Sequence, residues 1–319
     1  MSLLFAAAPL CAAQKPVALR VSADNDGFNF WTPSWTRTDH EYSSGVWGTI
    51  EYAGTSPFLP LGVLRVPRCR ATGRAAGCAT HSVTLGQSMY TGEAPPSVGV
   101  APPKHPSLRQ HAAWLYVEVA ERDSTDDAVN EFRLAVGVVG PPALGEPIQK
   151  FFHVIGPAYP IPVDWRTQMP FEPGFVATAA RTTRVGAFGD AGGVHGLLRT
   201  RMAATLGTIL AGATAGASGE VGIPVGPAAR NPAWPRVVLG AEVVGHGVIR
   251  DEFLDGTFFS SSHRLAKKGL FDEERASIEL RWPFGTVAYR ATRSGKQYEL
   301  QPAPMVWGTL YAEWRPGRW

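Results

Sequence analysis

Apolar and polar residues alternate one by one in many short stretches of this chain. Between Val17 and Asp24 the odd-numbered positions are apolar, and Arg20, Ser22 and Asp24 occupy the alternate positions. Since successive side chains of a β-strand point to opposite faces, this pattern predicts strands with one apolar and one polar face. The same alternation recurs in Leu198–Met202, Ala276–Trp282 and Thr286–Thr292.

Alternation alone does not separate a soluble β-sandwich from a transmembrane β-barrel. The apolar faces point inward in the sandwich and toward lipid in the barrel, and a mean hydropathy of −0.06 suits both. Three features favour the barrel: an apolar N-terminal leader, a terminal aromatic residue, Trp319, and tryptophans near strand ends that suggest aromatic girdles. Those tryptophans are Trp31, Trp35, Trp47, Trp114, Trp307 and Trp314.

Turn residues divide the chain into about twelve strand-like runs, an even number, as single-chain bacterial barrels have. We therefore predict an all-β fold, a single antiparallel transmembrane β-barrel, with a short helix near Pro147–Ile155 in the long extracellular loop Gly140–Gly174. The runs centre near residues 17–28, 44–53, 82–91, 112–121, 131–140, 175–186, 194–207, 212–222, 236–248, 272–282, 286–294 and 306–315.

The N-terminus predicts export. Leu3–Ala13 is an apolar run too short to span a bilayer, which indicates a signal peptide over residues 1–13 and a barrel domain over residues 14–319. The location predicted from these features is the outer membrane of a Gram-negative cell. Once the leader is removed, Cys69 and Cys78 remain on a short periplasmic loop, where a disulfide bond is compatible with the oxidising compartment.

Polar residues collect at the predicted outward-facing end of the barrel. Carboxylate and carboxamide oxygens suit a hard cation such as Ca²⁺, and a neighbouring histidine can serve as a general base. The acidic run and the histidine also have ordinary explanations, because an Asp-Asn-Asp run commonly forms a turn and a histidine in a loop is commonly a surface residue. A net charge of +3, widely dispersed, argues against nucleic acid as a partner. The polar residues at the outward-facing end of the barrel are Asp24, Asn25, Asp26, Ser43, Lys104 and His153.

Several short motifs, in the same order along the chain, resemble those of the outer-membrane lipid A 3'-O-deacylases. The resemblance covers nearly the whole mature chain, and the long loop adds a Gln-x-x-x-His-x-x-Gly pattern from Gln149 through His153 to Gly156. The other matching segments are Asp24–Phe28, Thr38–Gly45, Gly86–Thr91, Ala113–Tyr116, Asp164–Gly174, Phe253–Phe258 and His263–Lys268.

This resemblance implies a twelve-stranded barrel that removes the 3'-linked acyloxyacyl group of lipid A in a Ca²⁺-dependent hydrolysis. It implies that His153 is the general base, that Asn25 and Asp26 belong to the active site, and that Asp26 is the cation ligand. The cation would stabilise the oxyanion. Ser43 stands where the family has a threonine, and its hydroxyl would position water or substrate unless it is an ordinary strand-end serine.

The first departure from the family's motifs concerns the active-site lysine. Lys104 is the only lysine in the second outer loop, but it matches the family's active-site lysine loosely and also suits a lipid-phosphate contact or a plain exposed residue. With His105, Arg109 and His111 it would suit the phosphates of lipid A.

A further acidic site residue has no clear match. Asp164 and Glu172 are candidates by position, although Glu172 also fits a structural strand start. Other functions compatible with the sequence are a surface phospholipase or lipid esterase, and a non-catalytic barrel serving as a pore or scaffold. A narrow lumen with bulky charged residues argues against the pore.

Overall fold

All twelve predicted runs are strands in the computed structural model. It describes residues 16–30, 41–54, 56, 79–92, 108–155, 165–189, 193–225, 235–260 and 262–316, without the side chains of 152–155. The strands are β1 (Pro16–Asn25), β2 (Glu41–Ala53), β3 (Ala79–Thr91), β4 (Ala112–Ser124), β5 (Ala128–Val139), β6 (Glu172–Gly189), β7 (His195–Gly207), β8 (Leu210–Pro224), β9 (Arg236–Asp251), β10 (Leu270–Trp282), β11 (Gly285–Ser294) and β12 (Met305–Trp314).

The strands form one closed barrel in which each pairs antiparallel with its neighbours in sequence. The ring closes where β1 meets β12, in register from Leu19 opposite Trp314 to Asn25 opposite Gly308. Closure gives the first and last strands a partner on both sides, as a hydrocarbon environment without water requires. The predicted all-β, twelve-stranded barrel is therefore confirmed.

The short helices all lie at one end of the barrel. Because strands alternate in direction, the connections that follow odd-numbered strands share an end, which we call the α1 end. It carries helix α1 (Gly145–Ile155) after β5 and helix α2 (Glu252–Asp255) after β9. Helix α1 contains the predicted helical segment Pro147–Ile155. Within the described ranges, no helix is long and apolar enough to cross a bilayer.

The outer wall is apolar, as the alternation predicts. Met202 is 69% and Ile249 is 78% exposed on the outer face, with Val21, Leu198 and Ile278 also exposed there. Such a face is stable only against lipid, which explains why the chain can place these residues outside.

The lumen is filled by paired charges. Glu131 on β5 forms ion pairs with three arginines, Arg122 on β4, Arg133 on β5 and Arg201 on β7, at 3.0, 2.6 and 3.2 Å. Other ion pairs of the inner face join Arg20 to Glu51 and Glu313, Arg199 and Arg281 to Glu220, and Arg275 to Glu242 and Glu273. The charged residues of the inner face are therefore paired with one another in the lumen.

Aromatic side chains close the lumen toward the α1 end, which corrects part of the girdle prediction. Trp47 Nε1 donates to the hydroxyl of Tyr116, and the Trp114 ring stacks on Tyr116 at 4.1 Å. Trp307 contacts Tyr42 at 5.0 Å. These three tryptophans lie on the inner face because they alternate in phase with the lumen charges, so assigning them to a lipid girdle was wrong.

Trp314 lies on the outer face and is 46% exposed, so it fits a girdle position. Trp31, Trp35 and Trp319 fall outside the described residues, as do the predicted leader and the two loop cysteines, Cys69 and Cys78.

Replacing Glu131 should destabilise the barrel, since Glu131→Gln leaves three arginines clustered without their shared carboxylate. We expect the free energy of unfolding to fall by about 3 kcal/mol, measured as the urea midpoint of the heat-modifiable gel shift. The control is Glu121→Gln on β4, because Glu121 forms no ion pair with any residue that the structure describes. Equal midpoints for the two variants would contradict a structural role for the Glu131 cluster.

Candidate active site

The turn that follows β1 is built around two of the predicted site residues. Asn25 caps a single 3₁₀ turn, Asp26–Phe28, and its side-chain oxygen accepts the amide of Gly27 at 2.7 Å. Asp26 Oδ1 accepts the same amide at 2.8 Å, and Asp26 is buried. An Asn-Asp pair before glycine favours such a turn because both side chains bond to nearby backbone. The two residues are thereby locked together at the α1 end.

The last two strands hold this turn in place. Tyr289 on β11 donates its hydroxyl to the carbonyl of Phe28 at 2.6 Å. A Cβ atom at Gly308 on β12 would lie 2.4 Å from that carbonyl oxygen, so only glycine lets the turn rest on the strand. Closure of the barrel therefore fixes the position of Asn25 and Asp26.

Ser43 reaches the same site through an irregularity in β2. The pairing of β2 with β3 shifts between Tyr42 and Ser44, so Ser43 is the extra residue of a β-bulge. Its backbone carbonyl accepts the side-chain amide of Asn25 at 3.3 Å, and its buried hydroxyl makes a short hydrogen bond with Thr91. The bulge thus aims Ser43 at both neighbouring strands. Thr91 is a site neighbour to which the sequence assigned no role.

Helix α1 is tethered over the ends of β3 and β4. Gln87 on β3 donates to the carbonyl of Ala143, just before the helix, at 2.5 Å. A Cβ atom at Gly145, the first helical residue, would lie 2.5 Å from the Trp165 ring and 2.8 Å from Ala113 Cβ on β4. The start of α1 therefore packs directly against the barrel wall.

Trp165 anchors the middle of α1. Its indole Nε1 donates to Gln149 Oε1 at 2.7 Å, and its ring lies 5.7 Å from the ring of His111. His111 Nδ1 in turn accepts the amide of Gly92, the residue after Thr91, at 2.6 Å. These contacts link the Ser43–Thr91 pair to Gln149. His153 follows Gln149 by four residues, which places it on the same helical face.

The predicted site residues thus have different outcomes. The structure brings Asn25, Asp26 and Ser43 together and places His153 on α1 at the same end. Asp24 accepts a hydrogen bond from Tyr42 at 3.0 Å on the lumen side, so it does not join them. Lys104, His105 and Asp164 lie outside the described residues.

A buried ion pair supports the strand that carries Ser43. Arg109 Nε donates to Glu41 Oε2 at 2.7 Å, and the other carboxylate oxygen accepts the hydroxyl of Tyr298 at 2.5 Å. Glu41 has a φ of +79°, a conformation that costs energy for a residue with a side chain. Burial alone would lower the pKa of Arg109, but the facing Glu41 and Asp251 carboxylates outweigh this effect and raise the pKa above its usual value.

The same geometry corrects an expectation for Arg109 and His111. Both were expected to face the phosphates of lipid A, yet both are buried, at 3% and 7% exposure. They are inside because the charge of Arg109 is needed to balance Glu41, and the ring of His111 packs against Trp165.

The donor set around Asp26 is compatible with a cation. Its carboxylate is buried and shares the Gly27 amide with the carboxamide oxygen of Asn25, and both are hard oxygen groups of the kind Ca²⁺ prefers. The described residues contain no group of three or more His, Cys, Asp or Glu side chains that could hold a metal ion.

Residues 1–316 match the family model described as "Outer membrane protein LpxR". The chain belongs to this family. Family membership and the barrel fold together place the protein in the outer membrane. They confirm the resemblance identified in the sequence.

Among solved structures, "LpxR from Salmonella typhimurium" aligns with a TM-score of 0.69 at 15% identity, covering 93% of this chain and 99% of that one. The β domain of the Bordetella autotransporter BrkA aligns with a TM-score of 0.46 at 7% identity, covering 94% and 100% of the two chains. No curated protein matches the chain significantly.

This LpxR-family barrel also buries two glutamates at the α1 end, near α2. Glu172, fully buried at the start of β6, accepts the backbone amides of Phe258 and Phe259. Glu172 is thus a structural residue, one of the two explanations that the sequence left open. Glu252, the first residue of α2, is also fully buried, and its carboxyl oxygens accept no hydrogen bond within the described structure. Burial, reinforced by the nearby negative charge of Glu172, raises the pKa of Glu252 to about 8.

This raised pKa predicts a pH-dependent stability. Above the usual pKa of a glutamate, the unfolded chain has released the proton that the folded protein still holds at Glu252. Stability therefore falls as pH rises from about 5 to about 8. The contribution is at most about 1.4 kcal/mol per pH unit and levels off above that window. Urea midpoints measured from pH 5 to pH 9 should fall with this slope in the native protein. The slope should be smaller in Glu252→Gln.

The control for this measurement is Glu299→Gln in the exposed turn between β11 and β12. It should retain the slope of the native protein. An unchanged slope in Glu252→Gln would show that Glu252 is not the group that titrates.

Proposed function

We propose that this protein is a Ca²⁺-dependent hydrolase that removes the 3'-linked acyloxyacyl group of lipid A, with His153 as the general base. The observation that carries the proposal is the assembly of Asn25, Asp26 and Ser43 at the end of the barrel that also carries helix α1, the helix that contains His153. Membership of the LpxR family and the sequence resemblance to lipid A 3'-O-deacylases support the same activity.

The reaction requires a water molecule to be activated and an ester carbonyl to be polarised. In the proposed mechanism, the His153 imidazole takes a proton from water as the water oxygen bonds to the ester carbonyl carbon. The bond to the sugar oxygen then breaks, and that oxygen receives the proton from His153. The products are a carboxylate and a free 3'-hydroxyl group.

Asp26 is the proposed cation ligand, with Asn25 and Ser43 as neighbours. Ca²⁺, when bound, would supply the positive charge that stabilises the developing oxyanion. Asn25 holds the turn and the β2 bulge in register through its two hydrogen bonds. The Ser43 hydroxyl, fixed by Thr91, would orient water or substrate.

Lys104 remains a proposed member of the site on sequence grounds alone. Its alternative role is a contact with a phosphate group of the lipid.

The filled lumen supports action on a membrane lipid at the α1 end. Paired charges and stacked aromatic rings occupy the described lumen, which favours a site at the rim over a pore. A site between α1 and the rim is reachable by a lipid that diffuses within the outer leaflet. A surface phospholipase would use the same groups, so the choice of substrate must be tested directly.

Replacing the proposed base should abolish hydrolysis. We expect His153→Ala to lower the rate of acyloxyacyl release by about 100- to 10,000-fold. The measurement is mass spectrometry of lipid A incubated with detergent-solubilised protein, first with Ca²⁺ and then with chelator. The control is His195→Ala on β7, near the opposite end, which should keep full activity.

Activity that persists in chelator would remove Ca²⁺ from the proposal. Full activity in His153→Ala would remove His153. Cleavage of phospholipid but not lipid A by the native protein would favour the phospholipase.

The role of Ser43 can be separated from that of an ordinary strand-end residue. Ser43→Thr keeps a hydroxyl and restores the family residue, so it should retain activity. Ser43→Ala should lower the rate of hydrolysis roughly five-fold, which corresponds to the loss of about 1 kcal/mol for one hydrogen bond. Initial rates on lipid A compare the two, and heat-modifiable mobility confirms folding. Equal rates would indicate that the hydroxyl takes no part.

A further inference from the structure

Two adjacent phenylalanines are exposed in the connection between α2 and β10. Phe258 is 59% and Phe259 is 70% exposed, and their rings meet edge to face at 5.1 Å. Large apolar side chains exposed side by side are unfavourable in water and commonly mark a binding surface.

The backbone of this segment is held by a dedicated set of hydrogen bonds. The Glu172 carboxylate accepts both phenylalanine amides, at 2.5 Å for Phe258 and 3.1 Å for Phe259. Thr257 Oγ1 donates to the carbonyl of Ser260 at 2.8 Å, and the Thr257 amide donates to Ser262 Oγ at 2.8 Å. The segment is thus a built turn that presents both rings, and their exposure is a consequence of its folded geometry.

The turn continues the lipid-facing wall. The guanidinium of Arg250 lies over the Phe258 ring at 5.2 Å, and its neighbour on β9, Ile249, is 78% exposed on the outer face. Phe175, three residues after Glu172 on β6, is 40% exposed on the same outer wall. Continuity with a surface that contacts lipid identifies lipid as the partner that suits the two rings.

A positive charge follows the turn. Arg264 is exposed, and its side chain forms no ion pair with another described residue. A Cβ atom at Gly256 would lie 3.2 Å from Arg264 Cγ, which places Arg264 against the base of the turn. An apolar pair followed by an exposed cation matches an amphiphile with an anionic headgroup.

We propose that the Phe258–Phe259 turn is a docking surface for the lipid of the surrounding leaflet. The two rings enter the acyl-chain layer, and Arg264 contacts an anionic phosphate headgroup. Such an anchor would set the depth of the α1 end in the membrane. The proposal does not depend on hydrolysis of any lipid.

The test is the depth of a fluorescent label in vesicles. The Phe259→Cys variant is made in a Cys11→Ser/Cys69→Ser/Cys78→Ser background, labelled with an environment-sensitive dye and reconstituted in phosphatidylcholine vesicles. Phosphatidylcholines with a nitroxide on the acyl chain or on the headgroup then quench the dye according to its depth. We expect blue-shifted emission and stronger quenching by the acyl-chain nitroxide.

Two positions calibrate the measurement. A label at Ile249→Cys on the outer wall reports lipid, and a label at Asp126→Cys, in the exposed turn at the opposite end, reports water. Heat-modifiable mobility confirms that each variant is folded. A label at position 259 that behaves like the one at position 126 would overturn the proposal.

The headgroup contact is tested by adding phosphatidylglycerol. The extra anionic lipid should deepen the label at position 259, and Arg264→Glu should remove that response without changing the label at position 249. An identical response in Arg264→Glu would overturn the assignment of Arg264 to the headgroup.

Discussion

The hydrogen-bonded closure of β1 on β12 is the constraint on which the rest of this structure depends. Hydrocarbon offers no partner for a free backbone amide or carbonyl, so a sheet in a bilayer must close on itself. Once the ring is closed, the part of the outer face that contacts hydrocarbon must be apolar, and charged side chains at that depth must turn inward. The same closure brings β11 and β12 beside the turn at Asn25 and Asp26, where Tyr289 and Gly308 hold it.

The charged interior follows from that constraint. Arginines and glutamates that cannot face lipid share a narrow lumen, where they are stable because each finds an opposite charge, as Glu131 does with three arginines. Aromatic rings, including those of Trp47 and Trp114, close the end nearest α1. The proposed chemistry lies at the rim, where turns, a bulge and short helices replace regular strand. This is also where the membrane ends, and where the proposed lipid substrate and the proposed lipid anchor would meet the protein.

The candidate site was partly predictable from sequence. The Asn25–Asp26 turn follows from local chemistry, because side chains of this type bond to the adjacent backbone wherever they occur. The helix that carries His153 was predicted because its segment lacks strand alternation. The bulge at Ser43 was not predicted, since it depends on the register of β2 against β3 and leaves no local signal. Nor was the Glu41–Arg109 pair, whose members are separated by a loop and meet only when β2 and β4 are in place.

By itself, the sequence determined the number of strands, their two faces and the presence of a helix after β5, because these depend on periods of two and 3.6 residues that are local properties of the chain. The family motifs added the predicted identity of the site residues, which stays a prediction. Only the tertiary structure decided which tryptophans face the lumen, that Arg109 and His111 are buried, and that Trp165 ties Gln149 to the wall. The physical reason is that burial and pairing are set by neighbours distant in sequence, and those neighbours are brought together only when the barrel closes.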